Sequence, residues 1–112
     1  MQIRKLALLL STLCAAGAAL ADITIGVSVS ATGPAASLGI PEKNTVALLP
    51  QTIAGEKVKC EVLDDATDTT TAVKNARKFV SEDKADGLIA ATATPTSVAI
   101  LEGAFETKTP QI

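Results

Sequence analysis

The sequence predicts an α/β protein in which a parallel sheet carries helices on both faces. Strand-like segments, either β-branched or continuously apolar, alternate along the chain with segments whose apolar residues recur at helical spacing. The stretches between successive strands are long enough for a helical crossover, which is how parallel strands are connected. The 112 residues suit one domain or part of one and leave no room for two complete domains.

The first 21 residues differ from the rest and predict a secretory signal peptide. Arg4 and Lys5 form a basic start, residues 6–20 form an apolar region, and residues 19–21 place alanine at the two positions that a signal peptidase recognises. We expect cleavage before Asp22 and export of the mature chain.

Two alternatives for this segment fit less well. A membrane anchor needs a longer apolar stretch with fewer small residues. A lipoprotein signal would use Cys14, but Leu13 and Ser11 match a lipidation site poorly.

Composition argues against catalysis and against nucleic acid as a partner. The chain has no His, Trp or Tyr, so the commonest metal ligand and general base is absent, and we expect no cofactor. Residues 22–112 carry 8 basic and 12 acidic residues, a net charge of −4 that repels phosphate backbones. Cys60 is the single cysteine of this part and cannot form an internal disulfide.

The sequence predicts three complete strands and the start of a fourth, at residues 23–29, 57–64, 86–91 and 109–112. The first is β-branched, and the third is continuously apolar, as expected for a strand covered on both faces. The second alternates, which places Val58, Cys60 and Val62 on its buried face. The Cys60 thiol is therefore expected to be shielded from solvent.

Three helices are expected between and after these strands. The first occupies the middle of residues 35–53, with Pro41 and Pro50 at a first turn or an end. The second has Asp68 or Thr69 as its N-cap. The inward-facing residues follow helical spacing: Ala72, Val73, Ala76, Phe79 and Val80 in the second helix, and Val98, Leu101 and Phe105 in the third.

Two loops that are rich in small hydroxyl residues mark the expected ligand site. Residues 30–37, SATGPAAS, follow the first strand, and residues 91–97, ATATPTS, follow the third. In open parallel sheets, ligands bind outside the carboxyl ends of the strands, where successive crossovers leave in opposite directions. If the strands lie in the order second, first, third, the two loops face each other at that point.

The second loop suits a ligand that carries a carboxylate. Thr94, Thr96 and Ser97 stand at the start of the third helix, where hydroxyls and free backbone N–H groups can bind an anion without a formal positive charge. The alternative is that Thr94 is the helix N-cap, with Pro95 at the first helical position.

Two further motifs favour structural roles. Asp64, Asp65 and Asp68 could coordinate Mg²⁺ or Ca²⁺, but they lack the spacing of a calcium loop and fit better as a strand end and a helix cap. The loop at residues 30–37 has one glycine, Gly33, where a phosphate-binding loop needs several glycines and a lysine.

Residues 22–112 resemble the N-terminal part of the periplasmic solute-binding proteins of branched-chain amino acid ABC transporters. The resemblance rests on an ordered set of motifs: T-G-P at residues 32–34, D-D-x-x-D at residues 64–68, and the Thr/Ser-rich turn. The sequence departs from the family at Ala90 and Ala91, one of which is often glycine, and at Leu38, which is often aromatic.

The resemblance implies a two-lobed receptor that binds an amino acid of branched-chain type, or a related small molecule, and delivers it to a permease in the inner membrane. It implies binding rather than catalysis, and a chain that forms part of the N-terminal lobe without the second lobe. In the family, the hydroxyl residue of the turn contacts the ligand carboxylate, which makes Thr94 the first candidate here. The other candidate ligand-binding residues are Thr92, Thr96, Ser97, Ser30 and Leu38.

Two other classes of function remain open at this point. One is the ligand-sensing domain of a receptor with the same fold, and the other is an enzyme whose catalytic residues lie outside these 112 residues. The complete gene distinguishes them, because a second lobe and a stop codon indicate transport, a transmembrane helix indicates a receptor, and a catalytic His indicates an enzyme.

Overall fold

The computed structural model describes residues 22–112, so the predicted signal peptide lies outside the described residues. In chain order, the helices and strands are β1 Ile23–Val29, α1 Ala36–Val46, β2 Thr52–Ile53, β3 Glu56–Asp64, α2 Thr69–Ser81, β4 Gly87–Ile89 and α3 Thr94–Glu106. The predicted α/β class is confirmed, with the short strand β2 as an addition. None of these helices is long and apolar enough to cross a membrane.

The strands form one mixed sheet in the order β2-β3-β1-β4. Both β3 and β4 pair with β1 in the parallel direction, which confirms the predicted order of the parallel strands. The short β2 pairs antiparallel with β3 at the edge. Beyond β4, Gln111 forms a parallel bridge with Leu88, as predicted for the start of a further strand.

Helices cover both faces of the sheet, as predicted. On one face, α2 and α3 bury the main core with β4; its residues are Ala72, Ala76, Phe79, Leu88, Ile100 and Ala104. On the other face, α1 lies so close to the end of β1 that a Cβ atom at Gly39 would be 2.0 Å from the carbonyl oxygen of Ser30. Only glycine permits such a contact between two backbones.

The face beneath α1 is less completely covered than predicted. Ile89 of β4 is 38% exposed, so among the described residues β4 is buried on one face only. Cys60 is half-buried, and its predicted shielding is therefore incomplete. It lines a groove of about 680 Å³ between β3 and the end of α1, because α1 packs over β1 and leaves β3 partly open.

The boundaries of α1 also differ from the prediction. The helix begins earlier than expected and runs through Pro41, so the placement of this proline at a first turn or an end is wrong. Pro41 is exposed, and its ring is accommodated on the solvent side of the helix. Pro50 follows the end of α1, as expected.

The predictions for α2 are confirmed. Asp68 is the N-cap, and its carboxylate accepts a hydrogen bond from the Thr71 N–H at 2.7 Å. A cap of this kind stabilises a helix by about 0.5–2 kcal/mol. The predicted inner stripe is buried at Ala72, Ala76 and Phe79 and half-buried at Val73 and Val80.

The inner face of α3 is different from the one predicted. Val98, Leu101 and Phe105 are 61%, 54% and 84% exposed, so the prediction that they face inward is wrong. The buried residues of α3 are instead Thr96, Ile100 and Ala104. This face packs against α2, whose own core residues include Ala72 and Ala76. Small residues allow two helices to approach closely. The size of the apolar side chains therefore did not identify the buried face of α3.

Candidate functional site

Three loops meet at the carboxyl ends of the parallel strands. Residues 30–35 follow β1, residues 65–68 follow β3, and residues 90–93 follow β4. The first and last of these belong to the two loops singled out in the sequence, and a hydrogen bond joins them: the Ser30 N–H donates to Thr92 Oγ1 at 2.9 Å. The predicted juxtaposition of the two loops is therefore present in the structure.

Ser30 lies beneath the surface of this edge. Its side chain is fully buried, and its hydroxyl donates to Asp65 Oδ1 at 2.6 Å. Because a serine hydroxyl has one proton to donate, that donor is already in use. The sequence predicts Ser30 as a ligand-binding residue, and in the structure its hydroxyl is buried and bonded to Asp65.

Thr92 is held from two sides. Its hydroxyl accepts the hydrogen bond from Ser30 and donates to Glu42 Oε2 of α1 at 2.5 Å. The single donor of the Thr92 hydroxyl is therefore used within the chain. Thr92 connects three elements, namely the end of β1, the middle of α1 and the loop after β4.

Thr96 and Ser97 close the turn between β4 and α3. The Thr96 hydroxyl donates to the Ala93 carbonyl at 2.8 Å, and the Ser97 hydroxyl donates to the Ala91 carbonyl at 2.7 Å. Thr96 is also fully buried. Both hydroxyls thus satisfy backbone carbonyls of the turn and fix its shape.

Thr94 differs from the other hydroxyl residues of the site. It is exposed, and among residues 22–112 no group hydrogen-bonds its hydroxyl, in contrast to Thr92, Thr96 and Ser97. The alternative that Thr94 caps α3 is wrong, because Ala93 occupies the N-cap position and Thr94 is the first helical residue. Thr94 can therefore offer its hydroxyl proton to a ligand.

Backbone donors accompany this hydroxyl at the start of α3. The first amides of a helix have no partner within it, and Pro95 lacks an N–H. Within the described part of the chain, the first backbone hydrogen bond of α3 is from the Ser97 N–H to the Ala93 carbonyl, which leaves the amides of Thr94 and Thr96 without an acceptor. Thr94 Oγ1 and the Thr94 amide therefore form a pair of neighbouring donors at the positive end of a helix dipole, whereas Thr96 is fully buried and does not present its amide at the surface.

The loop after β1 contributes Gly33 to this edge, and the first turn of α1 contributes Leu38. Leu38 lies in the first turn of α1 and is 61% exposed, so it is available to an apolar part of a ligand. Gly33 has a φ of +77°, and a Cβ atom there would be 2.3 Å from the Ala66 carbonyl oxygen. Glycine in the T-G-P motif thus allows the loop after β1 to contact the loop after β3.

The three aspartates of the D-D-x-x-D motif have separate structural tasks. Asp64 binds the loop after β1 through the Ala31 N–H and the Thr32 hydroxyl. Asp65 binds the end of β1, and Asp68 caps α2. No group of three or more His, Cys, Asp or Glu side chains in residues 22–112 is arranged to hold a metal ion. The interpretation of the motif as a strand end and a helix cap is confirmed.

The Asp64 carboxyl makes the stability of the fold depend on pH in the acid range. Its burial raises the pKa, but hydrogen bonds from Thr32, Ala66 and Ala31 outweigh this effect and hold the pKa below its usual value of 3.8. The unfolded chain therefore takes up this proton at higher pH than the folded chain. The resulting stabilisation is complete above pH 3.8 and is lost as the pH falls below 3.8 through the folded pKa.

Asp64→Asn is expected to remove part of this pH dependence. In urea unfolding measured at a series of pH values between about 6 and about 2, the free energy of unfolding should fall less steeply at the acid end in Asp64→Asn than in the unchanged protein. Asp22→Asn, at an exposed position, serves as the control. If the free energy of unfolding falls equally steeply at the acid end in Asp64→Asn and in the unchanged protein, Asp64 does not cause the pH dependence.

Two residues of the site, Asp65 and Glu42, were not among the predicted ligand-binding residues. Asp65 is fully buried and accepts hydrogen bonds from the hydroxyls of Ser28 and Ser30. The two serines alternate on one face of β1, and that spacing was an available signal for a buried acceptor nearby. Glu42 gave no signal, because its contact with Thr92 spans 50 residues of sequence.

Comparisons with known proteins show the family of the chain and similar folds. The family model described as periplasmic binding protein matches residues 22–112. The chain is 50% identical to an extracellular ligand-binding receptor from Rhodopseudomonas palustris HaA2, with a TM-score of 0.79 over 81% of this chain and 25% of that one. No curated protein sequence matches.

Two further solved structures have names that mention a ligand. The leucine binding protein LivK from Thermotoga maritima MSB8 is 28% identical, with a TM-score of 0.71 over 80% of this chain and 26% of that one. A solute binding protein of an ABC transporter from Rhodopseudomonas palustris BisB5, in complex with 3,4-dihydroxy benzoic acid, is 26% identical, with a TM-score of 0.75 over 80% of this chain and 26% of that one. The chain spans about a quarter of the length of these structures.

Proposed function

The chain belongs to the periplasmic binding protein family, and on that premise we propose that it serves as the extracytoplasmic solute-binding component of an ABC transporter. Its solute is a small molecule with a carboxylate, such as a branched-chain amino acid, which is bound between two lobes and delivered to a permease in the inner membrane. Residues 1–21 act as a cleaved signal peptide. The protein binds its solute and performs no chemistry on it.

The observation that carries the proposal is the set of donors at the start of α3. A ligand carboxylate at this position would accept hydrogen bonds from Thr94 Oγ1 and from the Thr94 amide, neither of which has an acceptor among the described residues. Hydrogen bonds to a carboxylate are about twice as strong as neutral ones. The positive end of the α3 dipole adds to them without requiring a cationic side chain.

The ligands named for the relatives support a carboxylate as the shared feature. One relative is a leucine binding protein, and another is in complex with 3,4-dihydroxy benzoic acid. An aliphatic amino acid and an aromatic acid have different shapes and hydrogen-bonding groups, but each carries a carboxylate. A site that binds this group through a rigid turn leaves the rest of the ligand to be recognised elsewhere in the cleft.

The proposal predicts that binding depends on the carboxylate itself. The protein produced from its complete gene should be titrated calorimetrically with leucine and with 3,4-dihydroxybenzoate, and each acid should be compared with its own carboxamide. We expect at least one acid to bind, and its amide to bind roughly ten- to a hundredfold more weakly, because an amide has no charge and directs an NH₂ donor at the protein donors. Equal affinity for an acid and its amide, or no binding of either acid, would contradict the proposal.

A further inference from the structure

We propose that Ser30 is a positioning residue of the ligand site: it ties the turn at residues 90–97 to the buried carboxylate of Asp65 and so holds Thr94 in its binding geometry. The proposal rests on the proposed function for the role of Thr94. It changes the role expected for Ser30 from direct ligand contact to indirect support.

The first step is the fixed position of the Asp65 carboxylate. Asp65 is fully buried, and its oxygens accept hydrogen bonds from Ser28 Oγ at 2.8 Å, Ser30 Oγ at 2.6 Å and the Thr67 N–H at 2.9 Å. Its own N–H donates to the Val29 carbonyl at 2.9 Å. A buried carboxylate is costly unless such donors surround it, so the ends of β1 and β3 are held together around it.

The second step leads from Asp65 to the turn. Ser30 uses its hydroxyl for Asp65 and its backbone N–H for Thr92 Oγ1, at 2.9 Å. Thr92 in turn donates to Glu42 of α1. The hydrogen bonds Asp65–Ser30–Thr92, which we call the Ser30 relay, thus run from the end of β3 through β1 to the loop after β4.

The third step leads from Thr92 to the ligand donors. Thr92 lies two residues before Thr94, and the hydroxyls of Thr96 and Ser97 close the same turn onto the carbonyls of Ala93 and Ala91. A displacement of Thr92 therefore moves the turn that presents the Thr94 hydroxyl. If the turn is loose in the free protein, ligand binding must order it, and that entropy cost lowers the affinity.

Ser28 provides a matched control for Ser30. Both serines are buried, at 2% and 0% exposure, and each donates one hydroxyl hydrogen bond to the same Asp65 carboxylate. Ser28 lies within β1 and pairs with Leu63 of β3. The substitutions Ser28→Ala and Ser30→Ala thus remove the same chemistry, but only the second loosens the residue that holds Thr92.

The test compares both variants of the protein produced from its complete gene. Hydrogen–deuterium exchange of residues 90–97 is measured without ligand. The free energy of unfolding is measured by urea titration. The affinity is measured by calorimetry with leucine and with 3,4-dihydroxybenzoate. Both variants should lose similar stability. Ser30→Ala should also exchange faster at residues 90–97 and bind about two- to tenfold more weakly, whereas Ser28→Ala should match the unchanged protein in both respects.

The possible outcomes separate the inference from the proposed function. Equal exchange at residues 90–97 in the two variants would overturn the Ser30 relay. Faster exchange in Ser30→Ala without any loss of affinity would overturn its role in ligand binding. If the unchanged protein binds neither acid but the difference in exchange is found, Ser30 does position the turn, and the proposed function is rejected instead.

Discussion

Gly39→Ala is expected to destabilise the protein strongly, by about 1–3 kcal/mol or more, because it forces α1 away from β1. The added Cβ atom would lie 2.0 Å from the oxygen and 2.3 Å from the carbon of the Ser30 carbonyl. Both are backbone atoms, so no side-chain rotation relieves the contact. The helix has to move from the sheet, or the end of β1 has to shift and take Ser30 with it.

Gly103→Ala is the matched control for this prediction. Gly103 also lies inside a helix, but apart from its chain neighbours and the backbone of its own helix no atom is within 4 Å of the position that its Cβ would take. Alanine is favoured over glycine within a helix by about 0.5–1 kcal/mol, so Gly103→Ala should raise the free energy of unfolding. Opposite shifts of the two urea midpoints are expected. A Gly39→Ala variant that is as stable as the unchanged protein would show that the close contact between α1 and Ser30 is not present in solution.

Thr94→Val is expected to lower the affinity for a carboxylate ligand by roughly ten- to a hundredfold, the equivalent of about 1.5–3 kcal/mol for a hydrogen bond to a charged group. Valine keeps the shape of the side chain and removes the hydroxyl that would face the carboxylate. The stability should change little, because Thr94 is exposed and Ala93, rather than Thr94, is the N-cap of α3. Calorimetric titration and urea unfolding of the same variant measure the two effects separately.

Thr70→Val is the control for this substitution. Thr70 is an exposed residue in the first turn of α2, so it repeats the same chemical change at the start of the neighbouring helix. It should leave the affinity unchanged. An equal loss of affinity in both variants, or an unchanged affinity in Thr94→Val, would reject a direct contact between Thr94 and the ligand.

The sequence was a good guide to the strands and their order. β1 was predictable because its β-branched residues have few alternatives to a buried strand, and the rules for parallel crossovers then limited the order of the strands. Those two results place the loops after β1 and β4 next to each other, which the Ser30–Thr92 hydrogen bond confirms. The Asp68 cap was predictable because it depends on residues that are close in sequence.

The buried face of α3 could not be predicted from periodicity. The stripe formed by Val98, Leu101 and Phe105 and the stripe that contains Ile100 and Ala104 both follow helical spacing, and the first has the larger apolar side chains. Because α2 and α3 pack closely, the stripe with the smaller residues is the one that is buried. Such a choice depends on the partner helix rather than on α3 itself.

The roles of the hydroxyl residues required the three-dimensional structure. Five hydroxyl residues of the site were identifiable by their type and their position in the two loops, but the sequence does not show which hydroxyl protons are already donated. Hydrogen bonds between residues that are 35 and 50 positions apart in sequence decide this, because the Ser30 hydroxyl donates to Asp65 and the Thr92 hydroxyl donates to Glu42. Thr94 stands out only after those assignments are made.

The most direct test of the account is one distance in a crystal structure of the protein, produced from its complete gene, with a bound carboxylate ligand. We expect a carboxylate oxygen about 2.5–2.7 Å from Thr94 Oγ1, with the amide of Thr94 directed at the same group. A carboxylate that lies more than about 3.5 Å from both Thr94 Oγ1 and the Thr94 amide would contradict the central claim that this turn binds the acid group of the solute.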